Sequence, residues 1–206
     1  MKSPPEEFTD AEIQLLLDNL DEYSAEEVEE IERMVDELAN RRQNKLAYDD
    51  LIEFCKAMMP EFIVGKHHRI LADMLMAIER GDKDRVCVNI PPRHGKSQLV
   101  SIFYPAWFLG RNPNKKVMMV SHTTDLAVDF GRKVRNLIAT PEYKTIFPVT
   151  KLAVDSKSAG RWNTSAGGEY YACGVGSALA GRGADLLLVD DPHSEQDVIN
   201  GNFSVF

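Results

Sequence analysis

Cysteine is scarce and scattered in this chain. Cys55, Cys87 and Cys173 form no C-x-x-C pair, which argues against a disulfide framework and against a zinc site. Cys87 and Cys173 fall in apolar, strand-like runs and read as ordinary buried thiols. No stretch approaches the roughly 18 consecutive apolar residues of a membrane helix. The first residues, M-K-S-P-P-E-E, hold no apolar core of a secretory leader. The expectation is a cytoplasmic chain with no membrane partner. Basic residues are also in deficit, 24 Lys and Arg against 32 Asp and Glu, for a formal net charge of −8. That deficit is local. Residues 1–40 hold 14 acidic and two basic side chains, whereas residues 41–206 hold 18 and 22. An acidic arm precedes a mildly basic body, so bulk charge does not exclude DNA as a partner.

The densest chemistry lies in Arg85 to Val100, R-V-C-V-N-I-P-P-R-H-G-K-S-Q-L-V. Val86–Ile90 reads as a short buried strand, bounded by charge on one side and prolines on the other. Pro91, Pro92, Arg93, His94 and Gly95 make a loop, and Lys96, Ser97 and Gln98 open a helix with Leu99, Val100, Ile102 and Phe103 at helical spacing. Strand, loop, Gly-Lys-Ser and helix is the context of a phosphate-binding loop. There, backbone N–H groups of the loop face phosphate oxygens, Lys96 reaches the β and γ oxygens, and the Ser97 hydroxyl ligates Mg²⁺. The full signature asks for glycine at position 90, where Ile90 stands. On this motif alone, a chance Gly-Lys-Ser at a helix start remains an alternative.

A second motif bears on the choice. Leu186-Leu187-Leu188-Val189-Asp190-Asp191-Pro192 describes a central strand delivering two acids to its C-terminal edge. Asp190 is placed to hold Mg²⁺, and Asp191 to orient or deprotonate an attacking water. Asp-Asp-Pro is also good turn chemistry, the bland reading of these residues in isolation. Taken after a Gly-Lys-Ser loop, the pair reads as a Mg²⁺-dependent nucleoside triphosphate site.

The remaining chain supplies a frame. Thr9-x-x-Glu12 and Ser24-x-x-Glu27 fit capping boxes, each before an amphipathic segment, the second ending near Ala39–Arg42. These acidic helices are either a cap on the body or a docking arm. A third helix is expected over Tyr48–Met59, stopped by Pro60, and a fourth carries Ile70, Leu71, Met74, Leu75 and Ile78 inward. His67-His68 at its start is weak as a metal site without a third ligand. His67 precedes Gly-Lys-Ser by about 30 residues, a slot from which motor ATPases contact adenine. Lys116–Ser121 reads as a strand, Asp125–Ile138 as a helix closed by Thr140-Pro141, and Tyr170–Val175 as another strand. Arg132, Lys133 and Arg135 on that helix are a solvated face or a DNA-tracking one. Residues 141–168 are hard to read. Arg182, between Gly181 and Gly183, is a candidate finger for γ-phosphate charge or a surface arginine in a glycine loop. The fold class expected is α/β, a P-loop NTPase of the RecA/ASCE type with a parallel sheet covered by helices on both faces. An α-helical arm over 1–59 precedes the ATPase domain over 60–206.

P-P-R-H-G-K-S, V-S-H-T-T-D-L-A-V-D-F-G-R-K-V-R and G-S-A-L-A-G-R-G-A-D-L-L-L-V-D-D-P-H together resemble the large terminase subunit of tailed bacteriophages, over Phe62 to Asp197. The resemblance implies an ATP-driven motor moving viral double-stranded DNA into a procapsid. Its partners would be the portal, the small terminase subunit and further copies in a ring, in the cytoplasm of the infected host. It equates Lys96 and Ser97 with the family's Walker A, Asp190 with the Walker B magnesium ligand and Asp191 with the catalytic carboxylate, a place where the family more often has Glu. Arg182 and Arg93 are the candidate fingers. The chain stops at Phe206, before the further strands and nuclease domain that the family carries, so an incomplete ATPase domain without the nuclease is expected. A non-catalytic nucleotide-binding or assembly fragment and a helicase-type ATPase are the alternatives.

Overall fold

The computed structural model describes residues 9–154, 158–177, 182–193, 199 and 201. The chain divides into two compact units, residues 1–45 and 46–206. The first holds helix α1 (Asp10–Asp18) and most of helix α2 (Ala25–Asp49). The Ser24 box forms as expected: the Ser24 N–H donates to the Glu27 carboxylate at 2.9 Å and the Glu27 N–H to Ser24 Oγ at 3.4 Å. Those Ser24 donors, its backbone N–H first, lower the Glu27 pKa. The Thr9 box cannot be followed, because the Glu12 side chain lies outside the described residues. Helix α2 runs 25 residues, past the end expected near Arg42. Gln43 to Asp49 contains neither glycine nor proline to stop it.

The helix expected over Tyr48–Met59 is divided at Asp50. Its carboxylate accepts from the Ile52 and Glu53 N–H groups and starts helix α3 (Leu51–Met58) as an N-cap. The same carboxylate takes Arg69 at 2.7 Å, linking α3 to helix α4 (Lys66–Glu79).

The strand expected over Val86–Ile90 is not part of the sheet. Residues 85–91 are irregular, with Val86, Val88 and Ile90 half-buried and Arg85, Cys87 and Asn89 exposed. The two-residue burial period survives, but a cleft separates Asp84–Val88 from the strand that would pair with it. Cys87, expected buried, is therefore exposed. After the loop, Gln98–Phe103 winds in wide π-type turns that pass into helix α5 (Tyr104–Arg111). The wide turns give way where Pro105, which has no N–H to donate, takes the first turn of α5.

Four strands follow among the described residues: β1 (Lys116–Ser121), β2 (Arg161–Asn163), β3 (Glu169–Gly174) and β4 (Leu186–Asp190). Between β1 and β2 lie helices α6 (Thr124–Ala139) and α7 (Pro141–Ile146), the latter a helix the sequence reading left undrawn. The sheet order is β2-β3-β1-β4. β1 pairs parallel with β3 and β4, whereas β2 pairs antiparallel with β3. The α/β class holds, with a mixed sheet in place of an all-parallel one. The departure comes from β2, a three-residue edge strand in the loop-rich region that pattern could not resolve.

Ser121 pairs with Gly174 on one side and Asp190 on the other, so three strands end at one edge. Val117 and Met119, Tyr170 and Ala172, and Leu186 and Leu188 share one core with residues of α3 to α7. Met118, Val120 and Cys173, at the alternate positions, form a smaller cluster. Trp162 is fully buried, its ring stacked on Tyr170 at 4.9 Å with 4° between planes. Its indole N–H donates to the Gly131 carbonyl of α6 at 3.1 Å.

Trp162 thus joins β2, β3 and α6. Trp162→Ala is expected to lower the unfolding free energy by about 3–5 kcal/mol. Trp162→Phe, which keeps a stacking ring and loses the donor, should cost about 1–2 kcal/mol. Urea denaturation measures both, and equal losses would refute the assignment of most of the energy to the buried ring.

Candidate functional site

The edge where β1, β3 and β4 end faces the loop after residue 90. Asp190 closes β4 and is buried, 7% exposed. Asp191 leaves the strand at φ 45°, in the left-handed region that Asp tolerates better than most residues. Its carbonyl accepts the His122 N–H at 3.2 Å, tying the turn to the end of β1.

Lys96 reaches both acids. Its Nζ lies 3.1 Å from Asp190 Oδ1 and 2.8 Å from Asp191 Oδ1. Burial opposes the charge on Lys96, but hydrogen bonds to Asp191 and Asp190 outweigh it and raise the pKa. The contact with Asp190 is the more consequential of the two. That carboxylate is 9% exposed against 67% for Asp191, and water screens an exposed pair to about 0–1 kcal/mol. The other oxygen of Asp190 accepts the buried Ser101 hydroxyl at 2.8 Å. Ser101, one polar residue within L-V-S-I-F, lay four places beyond Ser97 on the predicted helix face; that spacing was the available signal.

The loop has its own constraints. Arg93 is left-handed at φ 65° and exposed, and Gly95, two residues on, is left-handed at φ 77°. The His94 ring bonds the Pro92 carbonyl through Nδ1 at 2.9 Å. The Gly95 carbonyl accepts the Leu99 N–H at 3.0 Å, so the loop runs straight into the helix. Ser97 and Gln98 sit half-buried in its first turns. From α4, His67 Nε2 comes within 3.1 Å and His68 Nε2 within 2.9 Å of the His94 carbonyl oxygen. His67 has a partner in the loop backbone, and His68, weighed from sequence only as a weak metal ligand, sits beside it on the same carbonyl.

Of the residues singled out from sequence, Lys96, Asp190 and Asp191 are in contact; Pro92, Arg93, His94, Gly95, Ser97 and Gln98 belong to the loop and helix start that carry Lys96, and His67 meets that loop at the His94 carbonyl. Arg182 is elsewhere. It lies before β4, its guanidinium 4.1 Å from the centre of the Tyr171 ring. With Gly183 and Ala184 it borders a small pocket floored by the beginnings of β1 and β3. Asp190 stands at the other end of β4, a five-residue strand that spans about 13 Å from its first Cα to its last. Gly181 is outside the described residues.

A cleft of about 720 Å³ runs along β4 from Asp84–Val88 to Lys96, Asp190 and Asp191. Among the described residues, no group of three or more His, Cys, Asp and Glu forms a metal cluster. No helix there is long and apolar enough to cross a membrane. A cation held at this edge would rest on Asp190 and the Ser97 hydroxyl, both hard oxygen donors suited to Mg²⁺.

The family model described as terminase large subunit, T4likevirus-type, N-terminal, matches residues 87–200, more than half of the chain. Neither the curated proteins nor the solved structures give a match.

Ser101→Ala removes the hydroxyl donor to Asp190 Oδ2, leaving Lys96 on Oδ1, and is expected to cost about 1–3 kcal/mol of stability. In a double-mutant cycle with Asp190→Ala by urea denaturation, a coupling of at least about 0.5 kcal/mol is expected. Additive losses would show that the hydroxyl does not support the carboxylate.

Proposed function

This chain belongs to the large terminase subunit family, and from that premise we propose that it is the ATPase portion of a viral DNA-packaging motor. A role in viral DNA packaging follows from the family itself. The finer reading is that Mg²⁺-ATP hydrolysis in the Lys96–Asp190–Asp191 site drives double-stranded DNA into a procapsid. The observation that supports it is one lysine, at the mouth of a glycine loop, within 3.1 Å of two acids at the end of a strand.

The roles follow from chemistry. Backbone N–H groups of Pro92–Gln98, other than the proline, meet the phosphates, and Lys96 exchanges its carboxylate partners for the β and γ oxygens. Ser97 and Asp190 would hold Mg²⁺, which would supply positive charge to offset that of the phosphates. Asp191, exposed beside them, orients the attacking water. Arg93 projects from the loop as one candidate for further charge on the nucleotide. Arg182 sits at the far end of β4 from its own acids, an arrangement that supports action on a neighbouring copy in a ring. Portal and small terminase subunit are the partners proposed with that ring. A binding-only role is the second reading, favoured by residues 85–91 lying outside the sheet; steady-state hydrolysis separates the two.

Lys96→Ala should abolish nucleotide binding, measured with a fluorescent ATP analogue, and unchanged affinity would sink the loop assignment. Asp191→Asn should bind nucleotide and hydrolyse it about 10²-fold more slowly or worse. A wild-type rate in that variant would move the catalytic role to another carboxylate.

For the ring, Arg182→Ala and Lys96→Ala proteins, each inactive alone, should recover part of the activity when mixed. Full activity of Arg182→Ala alone would make that side chain an ordinary loop residue.

A further inference from the structure

His68 is buried, 6% exposed, at the start of α4. Its two ring nitrogens face partners of opposite kind. Nδ1 lies 3.0 Å from the Gly65 backbone N–H, which can only donate. Nε2 lies 2.9 Å from the His94 carbonyl oxygen, which can only accept; His67 Nε2 stands 3.1 Å from both that oxygen and His68 Nε2, as a second and longer contact on the same carbonyl. Both bonds form in one state of the ring, neutral with the proton on Nε2. Phe62 packs on the ring at 5.0 Å between centroids and itself meets Phe103 at 5.6 Å, so the imidazole is wedged against the core.

The carbonyl it grips belongs to the same peptide group as the Gly95 N–H. In a trans peptide the C=O and N–H point in opposite directions. Holding the carbonyl toward α4 therefore turns the Gly95 N–H away from α4. The contact also explains why position 95 has no side chain. A Cβ there would stand 2.5 Å from His68 Nε2, and the residue is left-handed at φ 77°.

We propose that His68 is a positioning residue of the nucleotide loop, its Nε2–H fixing the orientation of the His94–Gly95 peptide so that the Gly95 N–H is preset for a phosphate. This rests on the nucleotide reading above. The function of the bond is preorganisation. Without it, the peptide must be ordered when nucleotide binds, and affinity falls by that cost.

Two amide substitutions separate the ring's two bonds. His68→Gln places an N–H₂ where Nε2 stands and keeps the grip on His94. His68→Asn places an oxygen where Nδ1 stands, keeping the Gly65 bond and losing the bond to His94; both variants carry His67→Phe, and so does the reference chain, so that the second contact on that carbonyl is absent throughout. Binding of a fluorescent ADP analogue with Mg²⁺ is measured for the unsubstituted chain, the reference chain, both variants and Lys96→Ala, with thermal melting alongside. The expected result is affinity about three- to tenfold weaker for His68→Asn, as for one lost hydrogen bond, and within about twofold of the reference chain for His68→Gln. Nitrogen NMR of the histidine rings, on the unsubstituted chain without nucleotide, should show His68 protonated at Nε2. That measurement keeps the test decisive if an amide variant fails to fold.

The inference is overturned by His68→Asn binding as tightly as the reference chain, by His68→Gln weakening as much as His68→Asn, or by a proton on Nδ1. An unsubstituted chain binding no better than Lys96→Ala overturns the nucleotide reading itself, and this inference with it. That outcome differs from a bound nucleotide indifferent to His68.

Discussion

An ammonium between two carboxylates organises this molecule. Lys96 and Asp191 are 95 positions apart in the chain and 2.8 Å apart in space. For them to meet, β4 must lie beside β1 in the register that sets Asp190 against Ser121. The wide-turned helix after the loop must also pass close enough for Ser101 to reach Asp190. The carboxylate of Asp190 imposes an electrostatic condition on whatever happens here. It is buried, so its charged form depends on a positive partner, because an uncompensated charge in the interior is costly. Lys96 meets that need in the present state. If an anion drew Lys96 away, another cation would have to take its place, which is the part the proposed function gives to a divalent ion.

Much of this was legible from pattern. β1, β3, β4 and α6 announce themselves through apolar runs, a Thr123 cap and the acids at the end of L-L-L-V-D-D. Two short motifs, placed on loop and strand, suggested that Lys96 and the two acids share one site, but not that the lysine bonds directly to both. What was hidden had physical causes. Whether Val86–Ile90 joins the ladder depends on backbone partners, about which a two-residue burial period is silent. The Asp50 break in a continuous helical pattern depends on a side chain 19 positions away, Arg69, as well as on its own cap. β2 is three residues long and carries too little period to read. His68 was obscured by its neighbour: two adjacent histidines suggest a metal, whereas each has a backbone carbonyl within reach.

The loop illustrates how glycine and histidine share one task. Gly95 supplies absence, the missing Cβ that lets α4 come close. His68 supplies the bond that uses this closeness. Neither substitution pattern would be guessed from phosphate chemistry alone, because neither residue need touch a phosphate with its side chain. The preorganised part of such a site extends one layer beyond the groups that meet the ligand.

Residues 85–91 lie outside the sheet, and this leaves Cys87 on the surface while Cys55 and Cys173 are buried. Burial also raises the pKa of both inner thiols, Cys173 despite the opposing charge of Arg182. Thiol reagents act on thiolates, so they should discriminate sharply among the three. The chain thereby carries a natural attachment point for a single dye or spin label, on the wall of the cleft that leads to Lys96, with no cysteine to be removed first. A probe at that sulfur would register any closing of 85–91 onto β4 as a change in its own mobility.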